Sequence, residues 1–185
     1  MILTHSANSL NRGVEIGGRR YPVVKIGNQI WMAENLALET SVFNYPNNNS
    51  DNKENYGLLY PYKIVNDEVV PILPTGWRLP HKSDFDNLKS MDSTPADWIS
   101  PLNGGNGRFG LNLPLAGFKD YSGSYNNFNV IASVWTDNFK ETVGGVDRMY
   151  SLLVNSSTID TSDYNAGSAS QLVNTAASVR LVKDA

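Results

Sequence analysis

Short runs of alternating apolar and polar residues dominate this chain, and a helical spacing stands out once. Val14-Glu15-Ile16 followed by Gly17-Gly18 predicts a strand and a two-residue hairpin turn. Tyr21 to Ile26 predicts the return strand, Gly27-Asn28 a second turn, and Gln29-Ile30-Trp31-Met32 a further strand. Glu34-Asn35-Leu36 closes this meander. Leu111, Leu113 and Leu115 alternate with Asn112 and Pro114, the pattern of an edge strand or a bulge that continues into Ala116-Gly117-Phe118. Val130–Trp135, Met149–Val154 and Ser178–Val182 complete an antiparallel set. Trp31, Trp77 and Trp135 are assigned to the core, because large aromatics in alternating runs face inward.

The pattern changes at Leu73-Pro74-Thr75-Gly76-Trp77-Arg78-Leu79-Pro80. Pro74 and Pro80 fix φ and remove donors, so this stretch is read as turns that lead into a helix. Phe85, Leu88 and Met91 then sit three apart, on one helix face, with Asp84 and Asp86 in the first turn, where carboxylates favour the helix dipole. Phe43 to Asn55 is rich in Asn and reads as a loop, Tyr56 to Val65 as a strand or short helix, and Thr94 to Gly107 as a turn-rich excursion pinned by Trp98 and Ile99. Residues 1–12 are polar and aperiodic, an expected loose arm, and 13–185 are expected to form one domain. With few helices and no strand–helix–strand alternation, the predicted class is α+β: mostly antiparallel sheet, one or two short helices and long loops.

Several of these stretches carry a resemblance. Trp77-Arg78-Leu79-Pro80 with the acidic-aromatic helix after it resembles a signature of the Fibrobacter succinogenes major paralogous domain, a family common in Bacteroidetes surface proteins. Val24-Lys25-Ile26-Gly27-Asn28-Gln29-Ile30-Trp31-Met32-Ala33-Glu34-Asn35-Leu36 is similar to its N-terminal signature, and Tyr56-Gly57-Leu58-Leu59-Tyr60 to its second element. Phe109-Gly110-Leu111, Leu115-Ala116-Gly117-Phe118, Val134-Trp135-Thr136 and Ser178-Val179-Arg180-Leu181-Val182-Lys183-Asp184 resemble its C-terminal half. The resemblance spans 14 to 184. It implies a C-type-lectin-like or formylglycine-generating-enzyme-like fold, more often a binding scaffold than an enzyme. Members of the family often carry two cysteines at the positions of Leu73 and Leu181, so these two leucines are expected to pack where others form a disulfide.

Composition narrows the function. The chain has 185 residues, a net charge of −3, a pI near 5.3 and no cysteine. That balance lacks the basic patch of a nucleic-acid binder, and no apolar run approaches the ~20 residues of a membrane helix. The opening Met1-Ile2-Leu3-Thr4-His5-Ser6 lacks the basic and apolar regions of a secretion signal. The expected setting is the cell surface, the extracellular space or a virion. A trimmed chain, another export route or a phage particle would each account for such a start. Catalytic signals are missing: His5 and His81 are the two histidines, and there is no thiol for the copper chemistry of the formylglycine-generating enzymes. No zinc-protease, nucleophile-elbow or phosphate-loop motif occurs. His81 reads as a weak helix cap. The chain is expected not to be an enzyme.

Residues 120 to 174 are dense in Tyr, Asn, Ser, Thr, Gly and Asp. This is the usage of antibody-like contact surfaces, in which Tyr supplies area and Ser, Gly and Asn supply adaptable hydrogen bonds. The plainer reading is an ordinary loop-rich β surface, since these are also turn residues. The expected ligand contacts are Tyr121, Tyr125, Asn126, Asn127, Asn129, Asp137, Asn155, Ser157, Tyr164 and Asn165. They would make the chain an adhesin-like or phage receptor-binding module for a glycan or a cell-surface protein. The lectin-like resemblance adds the idea of a variable protein diversified by a retroelement, with which this composition is compatible. The alternative is a structural surface or fimbrial subunit that self-associates; an enzyme with an unrecognised site ranks below both. No cofactor is implied. Calcium is the one ion with candidate ligands, in the Asn-rich 43–55 loop and at Trp135-Thr136-Asp137-Asn138, which loosely resembles a lectin calcium motif without its proline-containing partner.

Overall fold

The computed structural model describes residues 13–143, 146–164 and 174–185. The expected arm over 1–12 lies outside the described residues. The chain is α+β, and the paired strands are antiparallel. Strands β1 (Val14–Ile16) and β2 (Arg19–Tyr21) form the predicted hairpin. Its two turn residues, Gly17 and Gly18, both have positive φ (56° and 80°), the requirement of a tight turn that matches strand twist. Pro22 ends β2 because it has no N–H, so the predicted return strand divides. β3 (Val23–Ile26) pairs instead with β4 (Gln29–Met32), while the Pro22 carbonyl accepts the Ala33 N–H at 2.9 Å.

The Asn-rich segment is more regular than a loop. Turns at Pro46–Asn48 and Ser50–Asn52 lead into helix α1 (Lys53–Tyr56). Both readings of Tyr56 to Val65 hold in part: β5 (Tyr60–Pro61) is followed by α2 (Tyr62–Ile64), which loosens into wider and tighter turns to Ile72. Helix α3 (Lys82–Met91) is the predicted one. Phe85 and Leu88 are buried on its inner face, but Met91 is 58% exposed. The last turn of α3 overruns the core there and lies over the β3–β4 turn, where a Cβ on Gly27 would come within 2.9 Å of the Met91 methyl. A short α4 (Pro95–Trp98) buries Trp98 against Phe109, ring centroids 5.2 Å apart, so Trp98 and the buried Ile99 do pin this excursion.

Beyond it the chain forms β6 (Phe118–Lys119), β7 (Tyr125–Asn126), β8 (Ala132–Val143), β9 (Val146–Val154), β10 (Ile159–Tyr164), β11 (Ala176–Ala177) and β12 (Val182–Asp184). The sheets run β10-β9-β8, β5-β11-β6-β7 and β12-β4-β3. The last strand therefore closes the domain against one of the first, with Val182 opposite Trp31. Trp31 and Trp135 are fully buried, in adjacent apolar clusters; Trp77 is half-buried at the edge of the Trp135 cluster. Leu181 belongs to that same cluster, and Leu73 is among the partly buried residues packed against the cluster.

Leu111, Leu113 and Leu115 are all buried but form no strand. Asn112 between them has φ 49°, which breaks extended geometry. Their backbone groups go elsewhere. The Leu113 N–H donates to the Trp98 carbonyl at 2.9 Å, and the Leu115 N–H to the Asn103 side-chain oxygen at 2.9 Å. The Leu111 carbonyl accepts from Arg180.

Arg180 is the fixed point of this architecture. It is fully buried between Val179 and Leu181. Its Nε–H donates to Asn35 Oδ1 at 2.6 Å, Nη1 to the Met32 and Leu111 carbonyls at 2.8 and 2.5 Å, and Nη2 to the Asn112 carbonyl at 3.1 Å. Asn35 passes the network on, donating to the Tyr56 carbonyl at 2.9 Å and to the Ser178 hydroxyl at 3.1 Å. These acceptors are neutral. Burial lowers the guanidinium pKa to about 9, which leaves it charged at neutral pH. Arg180→Met should orphan the buried Met32 and Leu111 carbonyls and the buried Asn35 amide oxygen, at a cost of about 1–3 kcal/mol each. The expected result in urea denaturation is a loss of at least about 3 kcal/mol; a loss below about 1 kcal/mol would contradict this assignment.

Candidate functional site

The sequence-predicted contact run is built around Asp120. One of its carboxylate oxygens accepts the Ser122 N–H at 2.9 Å, the Ser122 hydroxyl at 2.6 Å and the Ser124 N–H at 3.0 Å; the other accepts the Asn126 amide at 2.8 Å. Its pKa is lowered chiefly by the Ser122 hydrogen bond, so the carboxylate stays ionised. The β6–β7 pairing closes the same loop, with Lys119 opposite Tyr125. Glycine at 123, with φ 90°, turns its tip.

Tyr125 is half-buried, and its hydroxyl is 3.4 and 3.3 Å from the side-chain oxygens of Asn44 and Asn48. Burial raises its pKa, so the phenol is a neutral donor. The Lys119 ammonium sits 5.8 Å from the Tyr125 ring centroid and donates to Asn44 at 2.9 Å. Tyr121 projects at the loop tip, 60% exposed. The result is a face made from two distant stretches, 44–48 and 119–126.

The remaining candidates fall in different places. Asn127 and Asn129 adopt positive φ (57° and 61°), where Asn is favoured, and serve the local geometry. The Asn127 carbonyl accepts the Val130 and Ile131 N–H groups at 3.0 Å. Asn129 Oδ1 accepts the Tyr56 hydroxyl at 2.6 Å and the Asn103 amide at 2.9 Å. Asn155 closes the β9–β10 turn by accepting the Ser157 and Thr158 N–H groups at 2.8 and 2.9 Å, which leaves Ser157 exposed at the tip. Asp137 belongs to another cluster, described below. Tyr164 ends β10, but its side chain and Asn165 lie outside the described residues.

That other cluster surrounds the start of α3. The His81 Nδ1 is 2.5 Å from Asp137 Oδ1, and the Asp137 N–H donates to the Pro80 carbonyl at 3.0 Å. Asp84, three residues into the helix, is buried and heavily bonded. It accepts Arg78 Nη1 at 2.6 Å and Nη2 at 3.2 Å, Gln29 Nε2 at 2.6 Å and the His81 N–H at 2.6 Å. The last of these caps the helix, with Asp84 in the role of the usual Glu. Burial works to raise the Asp84 pKa, but the Arg78, Gln29 and His81 hydrogen bonds outweigh it and hold the carboxyl below its ordinary value. These groups are consumed by structure. Among the described residues no cluster of three or more His, Cys, Asp or Glu is spaced to hold a metal ion.

Sequence reasoning read Asn44 and Asn48 only as part of a loop with candidate calcium ligands, and did not place them or Lys119 beside Tyr125. The Asn-rich run was a visible signal, but nothing local pairs it with Tyr125. The Fibrobacter succinogenes major domain model matches residues 24–183, and the chain belongs to that family. No significant match was found among curated proteins or among solved structures.

A carboxylate held below its ordinary pKa stabilises the fold above its unfolded value, near 3.9, and that stabilisation is lost as pH falls through the folded value. Asp84→Asn should therefore cost about 1–3 kcal/mol at pH 7, with the gap to the unsubstituted protein closing as pH falls below about 4. Denaturation across that pH range checks this; a gap independent of pH would contradict it.

Proposed function

We propose that this chain is a non-catalytic recognition module on a C-type-lectin-like scaffold. It binds a glycan or a cell-surface protein through the face formed by Tyr121, Tyr125, Asn126, Asn44, Asn48 and Lys119. The observation that carries this reading is the Asp120-braced loop, which holds one tyrosine half-buried against Lys119 and two asparagines and leaves another exposed. A braced loop has already lost its conformational freedom, so little entropy is lost on binding. Exposed phenol rings stack on the C–H faces of sugars or fill pockets on proteins, and the amides supply neutral hydrogen bonds. Net charge has little part in such contacts, consistent with a chain at −3. The setting that fits is a cell surface or a phage particle.

The test is binding of the purified chain to a glycan array and to bacterial surface extracts. Tyr121→Ala and Tyr125→Phe are run beside it. Tyr125→Phe keeps the ring and removes the hydroxyl that meets Asn44 and Asn48. A weakening of about tenfold or more with Tyr121→Ala, at unchanged melting temperature, is expected for a central contact residue. Unchanged binding in both variants would overturn the assignment. Concentration-dependent assembly without any ligand would favour the self-associating structural subunit.

A further inference from the structure

A cleft of about 450 Å³ opens between the β1–β2 hairpin, the residues after β4, α1 and the segment 100–114. That size lies within the roughly 300–1,000 Å³ of small-molecule sites. A neighbouring hollow of about 440 Å³ shares Arg19 and Lys53 with it, so the two form one trough divided by that pair. None of the Tyr121–Tyr125 face lines either part.

The charges in the trough interleave. The Arg19 guanidinium lies 3.5 Å from Glu34 and 3.3 Å from Glu54, and Lys53 lies 2.6 Å from Glu39. Arg19 also stacks 5.3 Å from the Tyr21 ring centroid, and the Tyr21 hydroxyl accepts the Ala37 N–H at 3.1 Å. The arginine is thus positioned before any ligand arrives. The other wall sets Pro101, the exposed Leu102 and Pro114 beside the polar Ser100 and Asn112.

Two stretches by which the chain resembles its family line the cleft: Ala33-Glu34-Asn35 and Gly57. The core fixes Asn35 and Gly57. Asn35 is held by Arg180, and Gly57 has φ 74°, with a Cβ there reaching within 2.6 Å of the Asn35 Cβ. Glu34 is different: it is exposed, its described partner is Arg19, and the core does not require it.

We propose that this cleft is a second binding site, for a neutral polyhydroxylated ligand of sugar size. The cleft is lined by two cations, Arg19 and Lys53, and two carboxylates, Glu34 and Glu54, so it offers a charged ligand no net attraction. A hydroxyl both donates and accepts. It inserts between Arg19 and Glu54, or between Arg19 and Glu34, and leaves each satisfied. The C–H faces of the ligand rest on Pro101, Leu102 and Pro114. The site is independent of the tyrosine face and extends the recognition reading rather than resting on it.

The experiment is saturation-transfer NMR with the methyl glycosides of glucose, galactose and mannose, and with methyl glucuronide as the charged control. Leu102→Trp fills the cleft from an exposed position, Arg19→Gln removes the central donor fork, and Tyr121→Ala tests the other face; melting curves verify that each is folded. Transfer to at least one neutral glycoside is expected, and the cleft's share of it falls about tenfold or more in both cleft variants; any share lost in Tyr121→Ala belongs to the tyrosine face. It should change less than about twofold between about 50 and about 500 mM salt, because no net charge is recognised. Three results would overturn the site: no neutral glycoside bound, binding indifferent to both cleft variants, or a preference for the glucuronide that salt abolishes. Binding lost in Tyr121→Ala and kept in both cleft variants overturns the cleft and leaves the tyrosine face standing.

Discussion

The fold depends on one buried cation. A guanidinium taken out of water needs its donors filled, and Arg180 fills them with three backbone carbonyls and an amide oxygen. Those acceptors come from residues 32, 35, 111 and 112, so the arginine joins the end of the N-terminal meander to a segment nearly eighty residues later. Asn35 extends the join to Tyr56 and Ser178. The strand-like segment 178–182 adds backbone bonds along the same line, from Leu36 to Val179 and from Met32 to Leu181. Stretches without a common sheet become one body through these side-chain bonds.

This explains where the candidate sites lie. Asn35 and Asn112 of the Arg180 network line the cleft, so that part of its backbone is held from within, while Glu34 and Arg19 pair with each other beside it. The tyrosine face stands on α1 from the other direction. Tyr56 of that helix packs on Phe128, with centroids 4.8 Å apart, and donates to Asn129. The α3 cluster holds a third corner, where Arg78 and Asp84 join the proline turns to the helix start and Gln29 ties both to β4. At each of these places a polar side chain fastens irregular backbone that no strand could pair.

Local chemistry was legible in the sequence and distant chemistry was not. Gly17-Gly18 announced the hairpin because its turn constrains only itself. The Phe85 and Leu88 spacing announced α3, but Met91 overran the core, since periodicity does not say where a core ends. Leu111, Leu113 and Leu115 looked like an edge strand or a bulge because they alternate. Their hydrogen-bond partners are the Asn103 and Arg180 side chains and the carbonyl that ends α4, and alternation cannot distinguish these from a sheet. Tyr125 was singled out, yet Asn44 and Asn48, some eighty residues earlier, complete its surroundings. At Asn127 and Asn129 the sequence showed the amide side chains but not the positive φ that asparagine also accommodates there.

The central claim is that the Arg180 network makes the 111–115 segment part of the same cooperative unit as β4. Native-state hydrogen exchange measures this directly through the amides of Met32, bonded to Leu181, and Leu113, bonded to Trp98. If the network holds them together, both exchange only through global unfolding and with the same free energy and denaturant dependence. If Leu113 exchanges at a markedly lower free energy than Met32, the segment opens by itself, and Arg180 is not the constraint on which the structure depends.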